Sequence, residues 1–291
     1  MRVVSFGVGV LGPLVMFAGS ARADAPAITK LLDAHVQALT QNQDDDFTAT
    51  LGDTSSPVIV MSGSSLGSHT GVRYTVWPTK WSTVDLAVEK SPTIVVVDAK
   101  KGYAWFHGTV KGALGSRDAA NKLTMTDVTY RISGVAAKAG GGWKIAAIQW
   151  SAVLPDKDLF ARAAKLGKKV TPGKPKKEGD PRVTALVETW FNGGGLAKDQ
   201  AAVSFVNGTA PGELGANAKA TALAKQWDAL KMTATDIAVD EIGGGAIYFA
   251  TVQVDIPQKA AVPMSLGAVI VPDGKTFKWA SLNFTTELAK D

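Results

Sequence analysis

The sequence predicts an α+β fold in two matching halves, on three observations. A helical apolar stripe opens each half, alternating runs of strand character follow it, and the run that closes one half resembles the run that closes the other. "WKIAAIQWSAVL" (143–154) lies over "FKWASLNFTTEL" (277–288) without a gap, so Trp143 meets Phe277, Ile148 meets Leu282, Gln149 meets Asn283 and Trp150 meets Phe284. Upstream, "VDAKKGYAWFHGTV" (97–110) lies over "VDEIGGGAIYFATV" (239–252). The two offsets differ by the length of one loop, expected to be shorter in the second half.

Taken in order, residues 1–23 stand apart. Met1-Arg2 is a short positive start, residues 3–18 are almost wholly apolar, and Ala21-Arg22-Ala23 supplies the small residues that a signal peptidase reads. This predicts an exported protein, periplasmic or secreted, with Asp24 as its first mature residue. No later run is apolar enough to span a membrane.

The first helix follows, with Ile28, Leu31, Leu32, His35 and Val36 on one face. The strands expected after a mixed region are "SPTIVVVDA", "YAWFHGTVKG", "MTDVTYRISGVAAK" and "WKIAAIQWSAV", rich in β-branched and aromatic residues. "GGG" at 140–142 reads as the hairpin turn between the last two, and "PDG" at 272–274 does the same in the second half. The segment 156–179 is rich in Lys, Gly and Pro and reads as a solvated linker. Asp180-Pro181 then caps a second helix, whose stripe is Val183, Leu186, Val187, Trp190 and Phe191. The expected domains are therefore 24–155 and 180–291, after a signal peptide at 1–23.

Composition narrows the function classes. At 46% hydrophobic and 20% charged the chain is ordinary globular protein. It has no Cys, which excludes disulfides, thiol nucleophiles and thiolate metal sites. The formal charge of +5 falls by two with Arg2 and Arg22, too mild to argue for nucleic acid. No phosphate loop or dinucleotide fingerprint is present, and no cofactor is expected. "GSSLG" (63–67) matches a nucleophile elbow around Ser65, but no helical stripe follows it. "DDD" (44–46) reads as a solvated helix end, and the sequons at Asn207 and Asn283 are set aside.

"GGGWKIAAIQWS" resembles the closing hairpin of SnoaL-like proteins of the NTF2-like superfamily, with Gly142, Trp143, Lys144, Ile145 and Ser151 in the matching places. The resemblance covers most of 26–155 and extends to the second half through the repeat, where Phe277 and Thr285 depart from it. It implies two cones, each an N-terminal helical region packed on a strongly bent antiparallel sheet, with a cavity at the open end. Such domains commonly pair through the backs of their sheets.

Strict alternation puts Trp143, Ile145, Ala147, Gln149 and Ser151 on one face of the last strand and Ala146, Ile148 and Trp150 on the other. Both faces are apolar, so both need cover. We therefore expect an intramolecular pseudo-dimer glued through Ile148, Trp150, Leu282 and Phe284. A small hydrophobic ligand would meet a cavity lined by Tyr103, Trp105 and Trp143, with His35, His107 and Gln149 as its polar groups. The second half carries Trp190 and Phe249 in place of the two histidines, and a place that accepts Trp is a packing place first. For Gln149, ligand contact and structural hydrogen bonding both stay open. Asp98 reads as turn chemistry, and Asp127 is a candidate base. The first reading of function is a non-catalytic binding or scaffold protein. The alternative is a SnoaL- or ketosteroid-isomerase-like enzyme acting on a small hydrophobic substrate. A third is an interaction module presenting its linker and loops to another exported protein.

Overall fold

A computed structural model describes residues 18–41, 44–52, 58–61, 82–98, 100–152, 180–189, 203–206, 231–242, 244–255 and 261–286. The linker at 156–179, the Ser65 motif, Asn207 and Trp190 lie outside the described residues.

Helix α1 (Ala18–Thr40) is followed by α2 (Asp44–Thr50), a short strand β1 (Val58–Met61), and the long strands β2 (Thr83–Asp98), β3 (Tyr103–Arg117), β4 (Leu123–Ala139) and β5 (Gly142–Ala152). The second half holds α3 (Pro181–Thr189), β6 (Val203–Val206), β7 (Lys231–Ile242), β8 (Gly245–Asp255), β9 (Ala261–Asp273) and β10 (Thr276–Thr286). The first sheet runs β1-β5-β4-β3-β2 and the second β6-β10-β9-β8-β7. Each is an antiparallel meander with one short strand added parallel to its last strand, so neither sheet is purely antiparallel.

The first stripe behaves as its spacing requires. Ile28, Leu32, His35 and Val36 are buried, and Leu31 packs at the edge of the same core. That core takes Phe106, Val110, Ile132, Trp143, Ile145, Ile148 and Trp150 from the sheet. Helix α1 begins at Ala18, upstream of Asp24, and carries Pro26 inside it. In the second half Val183 and Val187 are buried, Asp180 caps α3 by accepting from the Arg182 N–H at 2.9 Å, and the Arg182 guanidinium lies 4.8 Å over the Phe277 ring.

The turns follow their glycines. Ala139 pairs with Gly142 across Gly140 and Gly141, both at positive φ (59° and 84°), the geometry of a tight two-residue hairpin. Asp98 serves its turn, accepting from the Lys100 and Lys101 N–H groups at 2.9 Å each.

Three sequence expectations are corrected. The length difference between the halves is not a loop. β3 and β4 run from 103 to 117 and 123 to 139, whereas β8 and β9 run from 245 to 255 and 261 to 273, so each arm of the first hairpin is longer. The strand expected from Ser91 begins at Thr83 and carries Pro92 through an irregularity opposite Gly108. Pro is tolerated there because β2 is an edge strand and its ladder is already interrupted. β7 is irregular at the equivalent place, opposite Ala250.

Strict alternation fails in β5 and β10. Ile145 and Ala147 pair with consecutive residues of β4, Ala136 and Val135, which leaves Ala146 as a β-bulge. In β10, Trp279 and Ser281 pair with Ile270 and Val269, which leaves Ala280 as the equivalent bulge. One extra residue reverses the alternation beyond it. Trp143 and Ile145 therefore share the helix-bearing face with Ile148 and Trp150, while Ala147, Gln149 and Ser151 lie on the back.

Candidate functional site: the contact between the two sheets

The backs of the two sheets meet. Tyr103 and Trp105 of β3, Val135 of β4 and Ala147 of β5 form one buried cluster with Ile247, Val269, Val271 and Ala280 of the second sheet. Ile148 and Trp150, expected at this contact, belong to the helix-side core of the first half instead, because the Ala146 bulge turns them there. Leu282 is buried two places past the matching bulge, and nothing is described of the Phe284 side chain. Small residues at 146, 147 and 280 fit the contact, since a bulge lets two consecutive side chains face the same way.

Polar groups sit beside this cluster. Gln149 Nε2 donates to the main-chain oxygen of Asn283 at 2.7 Å, and Asn283 Nδ2 lies 3.5 Å from the main-chain oxygen of Gln149. Asn283 Nδ2 also donates to Ser133 Oγ at 3.0 Å, and Ser151 Oγ donates to Asn283 Oδ1. All four residues are at most 3% exposed. Their bonds fix the orientation of both amides, as buried polar groups require. The Tyr103 hydroxyl reaches the main-chain oxygen of Ile270 at 3.4 Å, and burial pushes its ionisation well above the ordinary range. Gly245 stands where a Cβ would come within 2.4 Å of that hydroxyl, so the second sheet leaves room for the first sheet's tyrosine.

The six residues singled out from sequence divide between the two faces. His35 and Trp143 lie on the helix side, and Tyr103, Trp105, His107 and Gln149 lie on the back. The histidines therefore do not share a cavity. His35 is fully buried, shares a 2.8 Å hydrogen bond with Thr50 Oγ1 through Nδ1, and lies 6.4 Å from the Trp150 ring. Burial lowers its pKa to about 3. His107 stacks on Trp105 at 5.9 Å, with burial first and the Arg131 charge second lowering its pKa to about 4. Both rings are neutral near pH 7. Trp143 donates its indole N–H to Asp24 Oδ1 at 3.1 Å, and the Lys138 ammonium sits 5.1 Å over its ring, so it ties α1 to the β4–β5 hairpin. Asp127 is exposed near the start of β4.

Sequence reasoning placed Ser151 in the hairpin motif beside Gln149 without giving it a role, and it did not single out Ser133. The only signal for them was the Gln149–Asn283 match itself, since both serines flank those amides once the backs are in contact. Among the described residues no group of three or more His, Asp or Glu side chains could hold a metal ion, and no helix is long and apolar enough to cross a membrane.

No family model and no curated protein matches the chain. Solved structures similar to it include an NTF2-like superfamily protein from Salmonella enterica serovar Typhimurium (16% identity, 45% of this chain and 92% of that one, TM-score 0.39). Others are a candidate dehydratase of the NTF2-like family from Streptomyces avermitilis (14%, 46% and 99%, 0.38) and a candidate scytalone dehydratase from Novosphingobium aromaticivorans (12%, 47% and 89%, 0.39). Likeness at this level carries no argument about activity.

Proposed function

We propose that the chain is an exported protein of two NTF2-like domains, 24–155 and 180–291, joined by the basic segment 156–179 and locked back to back as an intramolecular pseudo-dimer. It serves as a non-catalytic binding or scaffold module. The observation that carries this reading is the reciprocity of Gln149 and Asn283. Each amide points at the main-chain oxygen of the other, and the two occupy equivalent places in the two halves. In a two-fold contact, residue i meets j and j meets i. The matching strand orders and the matching bulges at Ala146 and Ala280 support the same relation.

The non-catalytic part rests on what the polar residues do. Gln149, Asn283, Ser133 and Ser151 are used on one another, and the two histidines are neutral on opposite faces of one sheet. General acid–base work needs its groups gathered within reach of one substrate. Export is supported by the sequence before Asp24, which has the small residues that a signal peptidase reads, and the tie from Asp24 to Trp143 keeps that residue in the fold.

The test has two arms. Turnover is assayed on small hydrophobic ketones and enolisable substrates with the wild type and with His35→Ala and His107→Ala. No activity sensitive to either substitution is expected, and activity lost in either variant would replace the scaffold reading with the isomerase or cyclase reading. Thermal unfolding is followed with a panel of small hydrophobic ligands, because a ligand held only by the native state raises Tm. A saturable rise abolished by substitution at Trp143 or His35 would place the ligand on the helix side of the first sheet.

A further inference from the structure

Beside the amide pair lies a small cavity, about 10 Å³, lined by Ser133, Ala147, Gln149, Ile247, Gly267 and Val269 among others. Gln149 is 1% exposed, and its Oε1 has no hydrogen-bond partner among the described residues. Rotating the amide would not help, since Oε1 would then face the carbonyl oxygen that Nε2 now serves. The two-fold relation explains why this atom is left over. Ser133 is the cross-strand partner of Gln149, and Gly267 is the cross-strand partner of Asn283. Asn283 reaches across to the Ser133 hydroxyl. The mate of that bond would run from Gln149 to the side chain at 267, and glycine has none.

We infer that this cavity is a binding site for one water molecule, which bridges Ser133 Oγ and Gln149 Oε1 and takes the place of the hydroxyl missing at Gly267. The volume suits one water, which needs roughly 10–15 Å³ and at least two polar partners. Both partners are present. Ser133 Oγ accepts from Asn283 and keeps its own proton to donate to the water, and the water donates to Gln149 Oε1. The site is independent of any ligand or partner of the protein.

The first test is a crystal structure of the wild-type chain at a resolution that shows ordered water. Density for one water within hydrogen-bond distance of both atoms is expected. Gln149 Oε1 bonded to protein instead, or no density in the cavity, overturns the inference. The second test compares Gly267→Ser with Gly267→Ala. Both lose the same glycine freedom and both displace the water, but only serine returns a donor. The serine variant should unfold at or above the wild-type temperature and about 2–4 °C above the alanine variant. Equal Tm values for the two variants overturn the inference. If neither variant folds, the wild-type density decides.

Discussion

Asn283 and Gln149 occupy equivalent places, yet the structure loads them unequally, and this makes a quantitative prediction. The Asn283 side chain makes two good bonds, from Ser151 Oγ and to Ser133 Oγ, beside the long 3.5 Å approach to Gln149. Among the described residues the Gln149 side chain makes one direct bond to protein, at 2.7 Å. A net hydrogen bond contributes about 0.5–1.5 kcal/mol, and a buried donor left orphaned costs about 1–3 kcal/mol. Asn283→Ala removes two bonds and orphans the Ser151 hydroxyl, for a loss of about 2–4 kcal/mol. Gln149→Ala removes one bond and takes its own Oε1 with it, for a loss of about 1 kcal/mol. Urea unfolding followed by tryptophan fluorescence reads the difference. With a slope of about 3 kcal/mol per molar, the midpoint should fall by about 1 M for Asn283→Ala and about 0.3 M for Gln149→Ala, with the slope unchanged. The double variant should lose less than the sum, because the two residues touch. An equal or larger loss from Gln149→Ala would refute the reasoning.

Three further outcomes are expected. Trp105→Asp puts a carboxylate into the buried contact with Ile247, Val269 and Val271, so analytical ultracentrifugation and near-UV dichroism should report an expanded chain, whereas Trp150→Asp should disrupt the core of the first half around α1. Deleting Ala146 restores strict alternation in β5 and would drive Gln149 into the helix-side core; the soluble yield should collapse, and a well-folded deletion variant would count against the bulge as the face-setting device. Stability should fall in acid through His35: the unfolded chain takes up its proton near pH 6.5, the folded chain resists until about pH 3, so unfolding gains about 1.4 kcal/mol per pH unit below 6.5. His35→Leu should flatten that slope in denaturant titrations between pH 6.5 and 4, and an unchanged slope would mean His35 is protonated in the folded chain.

The helical stripe of α1, the hairpin at Gly140-Gly141 and the turn role of Asp98 are legible in the sequence because each rests on a local period or a local backbone demand. The stripe from Ile28 to Val36 needs only 3.6 residues per turn, and the turn needs only residues free to take positive φ. The two sides of the sheet were not legible. A bulge at Ala146 obeys the register between β4 and β5, which no window on β5 alone contains, and a single extra residue moved Ile148 and Trp150 from the expected contact into the helix-side core. His35 and His107 parted for a related reason: whether they meet depends on which side of the first sheet α1 covers, and sequence spacing cannot encode that when 71 positions separate them. Sequence by itself determined the buried stripe of α1, the strands β3 to β5 and the turns that join them. Only the tertiary structure decided which face each side chain serves, because strand faces are set by pairing with a neighbour, and pairing is a long-range contact.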